Sequence, residues 1–247
     1  MSTYTTYIDY VSNALATHSL GSFKCHPHYT GMLEHVSQSH GVKYLELLKP
    51  IFTIKYIEAF CKINDALGDP RQCMVEGILC SPTSLRYLYH AWLILQHAKE
   101  TGMTDFVEVG CGYGGLCLAI SYLSKDLNIP VTSYACIDLA PASKLQEWYL
   151  SHFASGMSYP VSFHESSTYG ETIPVKPVFL ISCYCFSEIE AEHQKEYIRV
   201  LFPHVEHGFF AWNHIPLYDF GKPVLRTEVE RPLTGQSYGV QNSFVYF

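Results

Sequence analysis

The chain carries little charge. Asp, Glu, Lys and Arg make up only 16% of its 247 residues, and the formal net charge is −7. No run of Lys and Arg offsets that excess, so nucleic acid is excluded as a partner, because phosphate backbones demand a basic face. No C-x-x-C pair occurs among the nine cysteines, which argues against a structural zinc site. Nine is also an odd number for a disulfide framework. Cys111, Cys117, Cys136, Cys183 and Cys185 fall inside expected core elements, where reduced cysteines act as small apolar side chains. No window offers the eighteen uninterrupted apolar residues of a membrane span. Met1 to Ala16 lacks the basic start and continuous apolar stretch of a signal peptide. Repeats and low-complexity tracts are missing, and nothing favours disorder. These absences predict a soluble, cytoplasmic protein without a metal.

What is abundant is apolar and aromatic surface, 48% and 15% of residues, enough for one catalytic domain with a helical appendage. Up to about Met103 the apolar spacing of three and four predicts helices over Tyr4 to Thr17, His28 to Ser39, Val42 to Leu67 and Ser84 to Thr101. Gly21, Gly41, Gly68 and Pro70 punctuate them. Ser84 reads as an N-cap for Leu85 to Ala98. We read residues 1–103 as a helical cap or lid, also a surface for a homodimer, and 104–247 as the domain that carries the site. From Asp105 strands and helices alternate. Strands are expected at Phe106 to Gly110, Val131 to Ile137, Val161 to His164, Val178 to Ser182 and Gly208 to Trp212. Helices are expected at Gly115 to Lys125, Ala142 to Ala154 and Ser187 to Phe202. Such alternation predicts an α/β fold with a parallel sheet covered on both faces. Val224 to Glu230 and Ser237 to Phe247 read instead as antiparallel C-terminal strands.

Ligands of such sheets bind beyond the carboxyl ends of the strands. There the segment Phe106-Val107-Glu108-Val109-Gly110-Cys111-Gly112-Tyr113-Gly114-Gly115-Leu116 reads as strand, tight turn and helix start. Glycines let a backbone approach a ligand closely, and a helix start offers unpaired N–H groups. An adenosine-containing cofactor is expected. Gly110, Gly112 and Gly115 spell the dinucleotide pattern G-x-G-x-x-G, while Glu108, Gly110, Gly112 and Gly114 spell E-x-G-x-G-x-G. The spacing alone does not separate them. The acid inside the strand would repel a pyrophosphate, and the preceding helices and antiparallel C-terminus are not those of another βα unit. Asp138, closing the second strand, suits a ribose diol as it would in either class; a helix N-cap ahead of Pro141 is its other reading.

The E-x-G-x-G-x-G turn resembles motif I of the Rossmann-like class I S-adenosylmethionine-dependent methyltransferases. Further segments resemble the sugar O-methyltransferase family: Ser81-Pro82-Thr83-Ser84-Leu85-Arg86-Tyr87, Ile137-Asp138-Leu139, Trp148-Tyr149-Leu150, and Ile181-Ser182-Cys183-Tyr184-Cys185-Phe186-Ser187-Glu188-Ile189. Ser-Cys stands where that family has Asn-Ser, which weakens any claim for an amide there. The likeness covers roughly Met74 to His214. It implies S-adenosylmethionine as cofactor and a sugar or glycan hydroxyl as acceptor, with a small amine or phenol acceptor, or a non-catalytic binding module, as alternatives. A dehydrogenase is the remaining enzyme reading. Glu108 is placed by the resemblance near the cationic methionine end, and Glu165 or Ser166 at the adenine.

Gly110, Gly112, Tyr113, Gly114, Leu139 and Ser182 are assigned to the same cofactor, and Arg86 to its carboxylate, which a guanidinium grips with two bonds. Tyr184 and Trp212 are candidates for stacking on a sugar. Methyl transfer to a hydroxyl needs alignment and a base. Glu188, expected to open the helix after the fourth strand, and His214, after the fifth, are the candidates. No Asp-Asp pair suggests a metal that would orient vicinal hydroxyls.

Overall fold

The computed structural model describes residues 3–232 and 241–247. Five helices come first: α1 (Thr3–Ala16), α2 (Pro27–Thr30), α3 (Gln38–Leu48), α4 (Ile54–Asp65) and α5 (Pro82–Thr101), with the hairpin β1 (Cys73–Val75) and β2 (Ile78–Cys80) between the last two. The alternating half follows as β3 (Asp105–Val109), α6 (Gly115–Asp126), β4 (Ser133–Asp138), α7 (Ala140–Ser151), β5 (Val161–Glu165), β6 (Val178–Cys183), α8 (Ala191–Val200) and β7 (Val205–Trp212). It closes with β8 (Arg226–Val229) and β9 (Ser243–Tyr246).

The seven-stranded sheet runs β5-β4-β3-β6-β7-β9-β8. β3 to β7 are mutually parallel, and β9 lies antiparallel between β7 and β8. This is a mostly parallel, Rossmann-like sheet with a reversed C-terminal strand. The strand order turns at β3, between β4 and β6, which puts a crevice beyond the carboxyl ends of those strands.

Strand residues alternate between two cores, as a pleated sheet requires. Phe106, Tyr134, Cys136, Phe179, Ile181 and Phe209 join the core shared with α1 and α3 to α7. Val107, Val109, Ala135, Ile137, Leu180 and Phe210 join a smaller core with Tyr197 of α8 and Phe220. The N-terminal helices share one continuous core with the sheet: Tyr7, Phe23, Tyr29 and Phe60 lie in the same cluster as Tyr113, Leu123 and Phe179.

Several local expectations change. The single helix expected over Val42 to Leu67 is two, since Pro50 interrupts it and Thr53 caps a new start by accepting from the Tyr56 N–H. Over His28 to Ser39 only a single turn of α2 forms before irregular chain. The cap of α5 is Ser81, whose hydroxyl accepts from the Thr83 N–H, with Pro82 at the first helical position; Ser84 is a turn further in. The β1–β2 hairpin was not foreseen, because three-residue strands leave almost no alternation to read. Of the strand expected over Ser237 to Phe247, the part before residue 241 lies outside the described residues. No described helix is long and apolar enough to cross a membrane, and all nine cysteines are free thiols.

Candidate functional site

β3 ends at Val109 and the chain turns through Gly110, Gly112 and Gly114 at φ of +80°, +59° and +92° before α6 begins. The Gly110 N–H donates to the Ile137 carbonyl at 3.0 Å and Gly114 N–H to Cys111 at 2.9 Å, so the turn is pinned to the end of β4. A side chain at Gly110 would need positive φ and would also collide with Cβ and Sγ of Cys185.

Asp138 closes β4. One carboxylate oxygen accepts from the Leu139 N–H at 2.8 Å and the other from Gln146 Nε2, also at 2.8 Å. Asp138 is therefore not the N-cap of α7, which begins after Leu139 without a side-chain cap. Burial pushes the Asp138 carboxyl up to about 7, against the opposing bonds from Leu139, Gln146 and the Cys111 backbone. Gln146 reaches further, donating to the Gly112 carbonyl at 3.0 Å, so one amide ties the turn to the acid. Its Oε1 is buried and accepts no hydrogen bond among the described residues. Gln146 was absent from the sequence-based set; the signal was its place two helical turns after Asp138, on the face of α7 that meets the sheet.

Glu108 points into the larger core, where Tyr134 donates to it at 2.7 Å. Burial holds its carboxyl well above the ordinary range, with Cys136 and Asp138 adding to the effect. Arg86, on α5, is buried; its guanidinium donates to the Leu33 carbonyl at 3.1 Å and lies 5.7 and 5.6 Å from the rings of Tyr87 and Tyr184. Glu34 approaches the same guanidinium. It accepts from Ser81 at 2.9 Å through one oxygen, while the other is buried without a partner among the described residues. A donor-rich ligand therefore suits this region: two acceptor atoms, on Gln146 and Glu34, lack donors beside a carboxylate and a buried guanidinium.

The turn is also covered. Leu33 lies 3.5 Å from where a Gly112 side chain would start, Leu150 lies 2.9 Å from the equivalent point on Gly114, and Cys185 sits on Gly110. Tyr7, from α1, is buried close enough to Asp138, Tyr87 and Cys111 for their charges to add to the burial that raises its phenol. No pattern in the sequence pairs these covering residues with the turn. Two cavities lie outside it: one of about 420 Å³ bordered by Glu34, His35 and Arg71, and one of about 370 Å³ bordered by Tyr89, Glu228 and Arg231.

Three expected ligand contacts are taken up by the protein itself. Tyr113 is fully buried, with its hydroxyl bonded to Asn64 Nδ2 at 2.9 Å and its ring 4.8 Å from that of Tyr149. Trp212 is only 2% exposed, packs 4.9 Å from Tyr218, and donates its indole N–H to the Ile215 carbonyl. Placed so, it offers no face to a sugar. The Ser182 hydroxyl donates to the Val109 carbonyl at 2.8 Å and accepts from the Phe186 N–H, joining β3 to the loop after β6.

Leu139 is exposed after β4, and Ser166 opens a 3-10 turn after β5, both at carboxyl ends. Glu188 does not open a helix. It closes the 3-10 turn Phe186–Glu188, and α8 starts three residues later. Its exposed carboxylate accepts from Asn213 Nδ2, while Asn213 Oδ1 accepts from Ser187. Asn213 precedes the half-buried His214, so the loops after β6 and β7 are clamped together and both base candidates lie on them. Among the described residues no three His, Cys, Asp or Glu converge as metal ligands.

No family model matches the chain, and no curated protein matches it. Solved structures resemble parts of it. LepI in complex with S-adenosylmethionine is 14% identical, with 63% of this chain and 47% of that chain covered and a TM-score of 0.45. The mitomycin 7-O-methyltransferase MmcR is 11% identical, over 67% and 56%, with a TM-score of 0.41. A protein from Burkholderia thailandensis bound to S-adenosyl-homocysteine is 12% identical, over 53% and 47%, also at 0.41. The chain thus spans about half the length of these proteins. None reaches an identity or overlap at which an activity transfers.

Proposed function

We propose that the chain is an S-adenosylmethionine-dependent O-methyltransferase acting on a sugar hydroxyl, with residues 1–103 as its cap. One observation carries this reading most: Gln146 holds both Asp138 and the glycine turn, yet keeps a buried oxygen without a donor. A ribose diol would give hydrogen bonds to Asp138 and Gln146 together. Gly110 and Gly112 let the backbone run close to the ligand, and Arg86 with Glu34 matches the carboxylate and ammonium of an amino-acid end. Glu108 lies on the same strand as a buried acid.

When bound, S-adenosylmethionine supplies an electrophilic methyl group on a sulfonium. The chain must then align an acceptor hydroxyl and provide a place for its proton. Glu188 and His214, on the clamped loops, are the two exposed or half-exposed candidates for that proton, and Tyr184 stands beside them as a ring for the sugar. A true base among them loses on the order of a hundredfold in rate when removed. Glu188→Gln and His214→Ala compared at equal cofactor affinity identify it.

The cover over the turn favours a second reading, a non-catalytic module that has kept the fold. Turnover separates the two: S-adenosylhomocysteine binding together with methyl transfer to a sugar supports the enzyme, and binding without transfer supports the module. Absence of binding in calorimetry removes both.

A further inference from the structure

Tyr184 is the first residue after β6 and holds φ of +60°, a conformation that side-chain-bearing residues adopt only where surrounding contacts enforce it. Two contacts enforce it here. Its N–H donates to the Ala211 carbonyl at 2.7 Å, and its hydroxyl donates to Glu230. Glu230, just past β8, is fully buried, and Asn242 Nδ2 donates to its other oxygen at 2.8 Å. A carboxylate without solvent is costly unless its oxygens are bonded and a cation is near. The Arg86 guanidinium lies 5.6 Å from the ring of Tyr184, which carries the bond to Glu230. Tyr44 from α3 and His90 from α5 complete the surroundings, with the imidazole 5.9 Å from the same ring. The Tyr184 side chain itself is only half-buried, and the next residue, Cys185, packs on the glycine turn. The strained tyrosine therefore carries its proton to a buried acid, beside the loop residue that packs on the glycine turn.

We propose that Tyr184 and Glu230 form a proton relay for the acceptor hydroxyl, a proposal that rests on the methyl-transfer reading. The Tyr184 oxygen, having given its hydrogen to Glu230, keeps lone pairs for the acceptor O–H. As the acceptor oxygen bonds to the methyl carbon and the carbon–sulfur bond of the sulfonium donor breaks, the acceptor proton moves to Tyr184. The phenolic proton passes to Glu230, leaving a neutral carboxylic acid, a neutral phenol and a neutral thioether. Tyr184 is then the catalytic residue and Glu230 the positioning residue behind it, held in place by the bond from Asn242.

Glu230→Gln separates this from a structural bond, since a glutamine oxygen still accepts from Tyr184 but takes up no proton. The assay uses the full chain, S-adenosylmethionine, and methyl α-L-rhamnopyranoside and a methyl sialoside as acceptors, with release of S-adenosylhomocysteine as readout. Calorimetry with S-adenosylhomocysteine and thermal unfolding run alongside. The relay predicts that Glu230→Gln and Tyr184→Phe each lose about a hundredfold or more in kcat at unchanged product affinity and acceptor KM. Should Glu230→Gln fail to fold, the half-buried Tyr184→Phe carries the test. Either folded variant turning over like the wild type overturns the relay alone. A wild-type chain that binds S-adenosylhomocysteine but methylates neither glycoside overturns the sugar reading and the relay with it. One that does not bind overturns methyl transfer altogether.

Discussion

Gly110→Ala tests how the loop after β6 is packed on the glycine turn. Two separate costs are expected. Alanine at φ of +80° sits in the left-handed region, which costs about 1–2 kcal/mol. The new methyl group also lands on Cβ and Sγ of Cys185, and overpacking of this kind adds about 1–3 kcal/mol. The single variant should therefore lose roughly 2–5 kcal/mol by the sum of those two effects. Cys185→Gly removes both clashing atoms and leaves φ untouched, so the double variant should recover the steric part alone. Urea unfolding of the wild type, both singles and the double gives the coupling energy from the four midpoints, provided the m-values agree. A coupling of about 1–3 kcal/mol in favour of the double is expected from the overpacking cost. Additive effects would mean that Cys185 does not rest on Gly110, and the placement of Tyr184 beside the turn would fall with it.

Asp138 makes ligand affinity depend on pH. Its carboxyl titrates at about 7 in the fold, well above its unfolded value near ~4, so it is protonated below pH 7 and ionised above. Only the ionised form accepts from two hydroxyls, so S-adenosylhomocysteine should bind more tightly as pH rises from 6 to 8, and Asp138→Asn should flatten that trend in calorimetry. By the same shift, the stability Asp138 contributes is present at low pH and lost as pH climbs from about 4 to 7.

Lys24 is the converse case. It is fully buried, with Nζ donating to the Asn64 carbonyl at 2.5 Å and lying 4.2 and 4.6 Å from the rings of Tyr113 and Tyr149. Burial lowers its pKa to about 8, below the unfolded value, so stability should rise as pH climbs from about 8 to 10. Thermal unfolding of Lys24→Met should lose that rise, because methionine carries no titrating group. Asn64→Leu removes the donor to Tyr113 and Ser84 and the acceptor of Tyr149. Several buried groups lose partners at about 1–3 kcal/mol each, and the melting temperature should fall further than for any substitution of the exposed Leu139.

The alternating half was legible because its signal is local. Near-continuous apolar strands, a glycine turn and an acid closing the next strand each occupy a few adjacent residues, and the pleat converts them directly into a sheet with a crevice at Gly110 and Asp138. The helical half was legible only in outline. Apolar spacing gave α1 and α5, but Pro50 split one expected helix, and the short β1–β2 hairpin carried no periodicity. Aromatics were the least legible: Tyr113 and Trp212 stand next to strand ends in sequence, yet both rings are buried, as large apolar surfaces favour.

The sequence alone settled the chain's class of architecture, the position of the turn and the identity of the acid after β4, since backbone freedom at glycine and the apolar run of a buried strand are properties of neighbouring residues. Tertiary structure decided the rest. Gln146 bridging Asp138 to Gly112, Leu33 and Cys185 lying over the turn, and Glu230 meeting Tyr184 are contacts between residues up to 79 positions apart. Such contacts follow from how the layers pack, and packing selects partners by shape and hydrogen-bonding need, neither of which is written in any single stretch of the chain.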